Sequence, residues 1–173
     1  VLVLAGGSGV GQAAIQLAHH FGARVFATSA PAKAERTRAL GAEHVFDHYA
    51  ADFSRDVRRL TGGRGADIVV EHVGEATWDR SVRALATGGR LVTCGATTGF
   101  AAGIDLRHLF ARQLSLLGSY MGCFEELRAA APLLFDGRLV PVIDTVFPLA
   151  KAADAQRRLE EKEQFGKIVL EVA

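Results

Sequence analysis

Residues 1–11 read Val1-Leu2-Val3-Leu4-Ala5-Gly6-Gly7-Ser8-Gly9-Val10-Gly11, and Gln12 to Phe21 follow with helical character. Four apolar residues predict a buried strand. The glycines let the backbone turn tightly, and the helix that follows presents unpaired N–H groups at its start. A strand, a glycine turn and a helix in this order form a cradle for a pyrophosphate, whose negative charge the helix start attracts. Taking Gly11 as the last glycine of the fingerprint puts Gly6 first and Ser8 in the middle position. Ser8, Gly9 and Val10 are expected to offer backbone N–H groups to the phosphates. Gly11 is expected to let the helix pack on the sheet.

Outward from this turn, strands and helices alternate. Arg24 to Thr28 predicts a second strand, and Pro31 opens a helix to about Leu40. His44 to Phe46 predicts a third strand, Asp52 to Leu60 a helix and Ala66 to Glu71 a fourth strand. Thr77 to Leu85 follows as a helix, then Arg90 to Cys94 as a fifth strand. Leu106 to Gln113 predicts a helix, Leu114 to Ser119 a sixth strand, and Phe124 to Phe135 another helix. Strands separated by helical stretches of this length make βαβ units and a parallel sheet covered on both faces. The fold class is α/β, a doubly wound parallel Rossmann sheet of about six strands in the order 3-2-1-4-5-6. After Pro148 the character changes: Ala150 to Glu163 is a charged amphipathic helix and Lys167 to Val172 one more strand, with no evident strand to pair with. The division expected is therefore residues 1–148 and residues 149–173.

Composition bounds the function. Of 173 residues, 49% are hydrophobic and 23% charged, enough apolar material for a packed core. The net charge of +1, with no basic run, argues against a nucleic-acid partner. No apolar segment reaches the roughly 20 residues a membrane helix needs. Cys94 and Cys123 form neither a C-x-x-C pair nor a disulfide framework, which fits a reducing cytoplasm. The six histidines show no metal-ligand spacing, so no metal ligands are assigned.

The end of the second strand bears on the cofactor. An NAD-type unit places Asp or Glu about 20 residues past the glycines, on the ribose 2′-hydroxyl. Here the strand ends Thr28-Ser29-Ala30, and no acidic residue occurs from Gln12 to Ala34; Lys33 and Arg36 follow instead. A carboxylate repels a 2′-phosphate, whereas hydroxyls and a cation hold one. This pattern favours NADP(H), through Ser29 and Lys33.

Residues 5–18 (AGGSGVGQAAIQLA), 38–53 (RALGAEHVFDHYAADF), 66–99 (ADIVVEHVGEATWDRSVRALATGGRLVTCGATTG) and 165–172 (FGKIVLEV) together resemble the medium-chain dehydrogenase/reductase superfamily, above all its quinone oxidoreductase and zinc-type alcohol dehydrogenase-like branches. The resemblance implies a cofactor map. Tyr49 would line the adenosine side and Val73-Gly74 would pass near the ribose. Gly95-Ala96-Thr97 would face the nicotinamide, and Lys167 would come from the last strand to the pyrophosphate. It also implies a GroES-like catalytic domain, absent from these residues, that supplies the substrate contacts and, in zinc-dependent branches, the metal ligands. Catalytic residues therefore stay unassigned, and zinc enters only through that domain. The function expected is the nucleotide-binding half of an NADP(H)-dependent oxidoreductase acting on a quinone, enone or carbonyl/alcohol substrate. A zinc-dependent alcohol dehydrogenase and a non-catalytic NADP(H)-binding module are the alternatives. The partners expected are a small-molecule substrate and a second copy, paired along the edge strand 114–119.

Overall fold

A computed structural model describes residues 1–49 and 52–172 of the chain. Ala50 and Ala51, inside one of the stretches quoted above, and Ala173, at the end of the C-terminal segment, lie outside the described residues. The strands of the main sheet are β1 (Leu2–Val3), β2 (Phe26–Ser29), β3 (His44–Asp47), β4 (Ala66–Glu71), β5 (Leu85–Thr93) and β6 (Ser115–Gly118). They run in the order β3-β2-β1-β4-β5-β6, and every pairing is parallel. The helices are α1 (Gly9–His20), α2 (Ala34–Ala39), α3 (Phe53–Leu60), α4 (Glu75–Ala84), α5 (Leu106–Ala111), α6 (Phe124–Phe135) and α7 (Ala152–Glu160).

The alternation of side chains along a strand divides the core in two. Leu2 and Leu4 point to one face, where Phe26, Phe53, Val57, Val69, Leu85 and Leu91 join them. Val3 points to the other, with Ile15, Val25, Ala27 and Ala42. Leu2, Val3, Leu4 and Ile15 have no exposed surface, and burying a side chain of this size stabilises by about 1.5–3 kcal/mol. The opening strand is thus covered on both sides, as a central parallel strand must be.

Three expectations change. The strand at Lys167 does have a partner. It is β8 (Lys167–Glu171), and it pairs in parallel with β7 (Ile143–Pro148) as a separate two-stranded sheet with α7 between them. The segment is firmly held. The Asp144 carboxylate is almost fully buried. It accepts from Arg158 Nε at 2.8 Å and from the Phe165 N–H at 3.0 Å, which ties β7, α7 and the approach to β8 into one unit. α4 starts at Glu75 rather than Thr77, because Gly74, at φ 95°, turns the chain sharply out of β4. β5 starts at Leu85 rather than Arg90, and its register against β4 slips between Ala66 and Ile68 to accommodate the Gly88-Gly89 turn.

Candidate functional site: a cleft at the carboxyl ends of β1, β2 and β4

The glycine turn is held by its own backbone and by its neighbours. Ala5 sits at φ 48°, in the left-handed region. The Ser8 N–H donates to Ala5 O at 2.9 Å, and the Gly6 N–H donates to Thr28 O at 2.7 Å. Ser8 caps α1, its Oγ accepting from the Gly11 N–H at 2.9 Å. This cap corrects the expectation that the Ser8 N–H is open to a phosphate, because Ala5 O takes it. Gly9 and Val10 are the first two helical residues and have no intrahelical acceptor, so they remain the donors that face outward. A Cβ on Gly11 would collide with Ala5 O, which is why the helix needs glycine where it crosses the strand end.

Above this turn lies a cleft of about 240 Å³. Of the residues expected from the sequence, Ser8, Ser29, Lys33, Tyr49, Val73 and Thr97 line it together. Gly6 and Gly11 form the packed floor instead; a Cβ on Gly6 would press on Thr37 and Ile15. Gly74 is buried at the start of α4, while Gly95 and Ala96 are exposed just past β5 and outside the cleft wall. The loops after β4 and β5 are fastened together. Thr97 Oγ1 donates to His72 O at 3.2 Å, and the Thr98 N–H and Oγ1 both donate to Val73 O at 2.8 Å. Lys167 arrives from β8 at the helix start, its Nζ 2.6 Å from where a Cβ on Gly9 would lie. With Gly9, Val140 and Pro141 it lines a second cavity of about 140 Å³ on the far side of the turn.

Several residues of the cleft were not read from the sequence. Lys162 and Gln164, from the loop before β8, form one wall. Lys33 Nζ donates to Lys162 O at 2.6 Å, which holds the ammonium at the cleft. Partial burial lowers the Lys33 pKa, opposed by the charge of Asp144 and assisted by Arg158 and Arg36. Arg36, the second cation near the strand end, is taken up elsewhere: it lies 4.2 Å over the Phe165 ring and 3.7 Å from Asp144. Ser29 is buried, and its Oγ donates to Ala30 O at 3.1 Å. Gln164 Oε1 is buried with no hydrogen-bond partner, an orphaned acceptor at the cleft wall.

Beneath the cleft, Glu71 is fully buried and saturated. One oxygen accepts from the Val73 and Gly74 N–H groups, at 2.6 and 3.1 Å, and the other from Thr77 Oγ1 and Ser81 Oγ, at 2.9 and 2.6 Å. This carboxylate fixes the turn from β4 into α4. His72 is likewise structural: its Nε2 donates to Leu4 O at 2.9 Å, and burial lowers its pKa. The pattern that would have exposed Glu71 is an acidic residue ending an apolar strand with Thr and Ser six and ten residues on, about one helical turn apart in α4.

A two-phosphate ligand fits this arrangement. The turn leaves two outward donors at a helix start and Lys167 adds a cation beside them, while the orphaned Gln164 Oε1 can accept from a ribose hydroxyl, not from a phosphate. Among the described residues no three His, Cys, Asp or Glu side chains converge to hold a metal ion, and no helix is long and apolar enough to cross a membrane.

Residues 9–136 match the family model described as zinc-binding dehydrogenase. The chain belongs to that family, within the medium-chain dehydrogenase/reductase superfamily. Among solved members, an NAD-dependent alcohol dehydrogenase is 45% identical, with a TM-score of 0.92 over 99% of this chain and 50% of that one. A mycobacterial protein solved with NADPH is 34% identical, with a TM-score of 0.83 over 98% of this chain and 56% of that one. The crotonyl-CoA reductase of Streptomyces collinus is 30% identical over 97% of this chain and 42% of its own. The chain therefore spans about half the length of these relatives. It spans 9% of a phthioceranic/hydroxyphthioceranic acid synthase of Mycobacterium tuberculosis, which is 35% identical.

Proposed function

We propose that this chain holds NADP(H) for an oxidoreductase that moves hydride to or from a quinone, enone or carbonyl substrate. The observation that carries this reading is the end of β2. Ser29 and Lys33, with no carboxylate, stand at a cleft continuous with the glycine turn. The bound dinucleotide would supply the hydride from its nicotinamide; the chain's residues bind and orient it. Gly9 and Val10 would donate to the pyrophosphate, and Lys167 would neutralise part of its charge. Lys33, held by Lys162 O, would face the 2′-phosphate, and Tyr49 would cover the adenosine. Gly6 and Gly11 keep the floor close enough for this approach. Val73 and Gly74 would pass near the ribose, and Gly95, Ala96 and Thr97, on the loop fastened to them, would border the nicotinamide.

Residues 1–148 form most of the cofactor-holding part in this reading, and Lys162, Gln164 and Lys167 complete it from the C-terminal segment. Residues 149–173 run towards a GroES-like catalytic domain that completes the substrate pocket, in a cytoplasmic enzyme. A second copy would pair along β6, an edge strand beside which Leu117, Tyr120 and Met121 are exposed; sedimentation that gives a monomer at high concentration overturns that pairing. The 45% identity to an alcohol dehydrogenase favours alcohol oxidation as a second reading. It too uses the dinucleotide, and it takes zinc only from outside these residues.

Fluorescence titration with NADPH and NADH tests the cofactor. The wild-type chain should prefer NADPH. Ser29→Asp should move the preference to NADH, and Lys33→Met should weaken NADPH while leaving NADH unchanged. An unchanged ratio in both variants contradicts the 2′-phosphate assignment. Binding without turnover of quinones or alcohols assigns the isolated chain to a binding module.

A further inference from the structure

His48 follows directly on β3, and its N–H donates to Ser29 O at 3.0 Å, which sets the residue beside the end of β2. Its ring lines the cleft and meets Tyr49 edge-on at 5.3 Å. His48 Nδ1 lies 2.9 Å from Thr28 Oγ1. That hydroxyl also lies 3.0 Å from the Ala5 N–H, which can only donate. Thr28 has no exposed surface. An unused hydroxyl proton there would cost the full penalty of a buried orphan donor. With Ala5 N–H accepted on one lone pair, the proton goes to His48 Nδ1. Nδ1 is therefore an acceptor, and the one proton of the neutral ring sits on Nε2. Among the described residues Nε2 has no hydrogen-bond partner.

We infer that His48 is a cofactor-binding residue, a tautomer-locked neutral imidazole whose Nε2–H is offered to an oxygen on the adenosine ribose or its phosphate. The inference rests on the dinucleotide reading above and adds a donor that this reading did not contain. The hydrogen-bond chain runs from the glycine turn through Thr28 to the cleft, so the turn that takes the phosphates also sets the imidazole. The surroundings keep the ring neutral. Burial lowers its pKa first, Arg80 on α4 and His72 after β4 lower it further, and Glu71 on β4 and Asp47 on β3 oppose them.

Two variants separate the two ring nitrogens. His48→Gln keeps a donor at the Nε2 position, whereas His48→Asn keeps an acceptor for Thr28 and loses the far donor. In the wild-type chain, ¹⁵N NMR at pH 7 should show the Nε2–H tautomer, with the Nε2 signal moving on addition of NADPH. His48→Asn should weaken dinucleotide binding about fivefold, the value of one hydrogen bond, with the unfolding midpoint unchanged; His48→Gln should bind within about twofold of wild type. An equal loss for NADPH and NADH identifies a ribose or pyrophosphate oxygen, and a loss confined to NADPH identifies the 2′-phosphate. A ring protonated on Nδ1, or His48→Asn binding as wild type while the wild type binds NADPH, overturns this inference alone. A wild-type chain that binds neither dinucleotide overturns it together with the dinucleotide reading.

Discussion

The helices flanking β6 are richer in apolar residues than α3 and α4, which pack beside β1 and β4, yet they bury fewer of them. α1, α3 and α4 each bury three or four residues. α5 and α6 bury none, and Phe110, Phe124 and Phe135 are 70%, 66% and 87% exposed. Apolar content alone does not decide burial; what lies opposite does. α1, α3 and α4 lie over strands with neighbours on both sides. The sheet ends at β6, so no further strand continues the floor beneath α6. The organised half is the half that carries the cleft.

This contrast can be broken most forcefully at Glu71. Replacing it by Ala strands four donors in the buried half. Urea unfolding should show a loss above about 3 kcal/mol, since each bond to a charged acceptor contributes about 1.5–3 kcal/mol; a loss below about 1 kcal/mol would show that the turn into α4 does not depend on this carboxylate.

Asp144 comes next. Burial pushes its pKa up, but the bonds from Arg158, the Phe165 N–H and Thr145 outweigh that and bring it down to about 2 from 3.8. A carboxyl with a depressed folded pKa stabilises above its unfolded value, and the contribution disappears as pH falls through the folded one. It is therefore full above about pH 4 and lost towards pH 2, worth about 2 kcal/mol. Asp144→Asn should remove most of it at pH 7 and flatten the acid limb of a pH–stability curve. A variant with an unchanged acid limb would show that the β7–α7–β8 unit is held by other means.

The cleft floor should respond next. Gly11→Ala presses a methyl on Ala5 O and should cost about 1–3 kcal/mol, with weaker NADPH binding in the same titration.

The smallest effects belong to the open half. Phe124→Ser and Phe135→Ser should change stability by less than about 0.5 kcal/mol. A loss above 1 kcal/mol in either variant would mean that this face is covered in solution, and the contrast would fail.

The element order is legible in both halves: α6, in the open half, is expected over Phe124–Phe135 and found there. The apolar run, the glycine spacing and the β-strand alternation are local signals, and they yield six parallel strands in the order found. The steric role of Gly11 follows from the same turn. The rest depends on partners far along the chain. β7 is not marked by a local signal, and its Asp144 is satisfied by Arg158, 14 residues on. Arg36 reads as a cation for a phosphate until Phe165 is seen beneath it. Lys33 meets its acceptor 129 residues later. The locked tautomer of His48 needs Thr28 and Ala5 at once, which no spacing rule reports.

The wall formed by Lys162 and Gln164 has a consequence for biosynthesis. At roughly 5–20 residues per second, the ribosome finishes the glycine turn many seconds before it adds that wall. The turn can fold against β2 and β4 early, but Lys33 has no carbonyl to hold it until Lys162, 129 residues on, has left the exit tunnel. The cleft wall is therefore complete only once residues 162–164 have been made, well after the turn it faces.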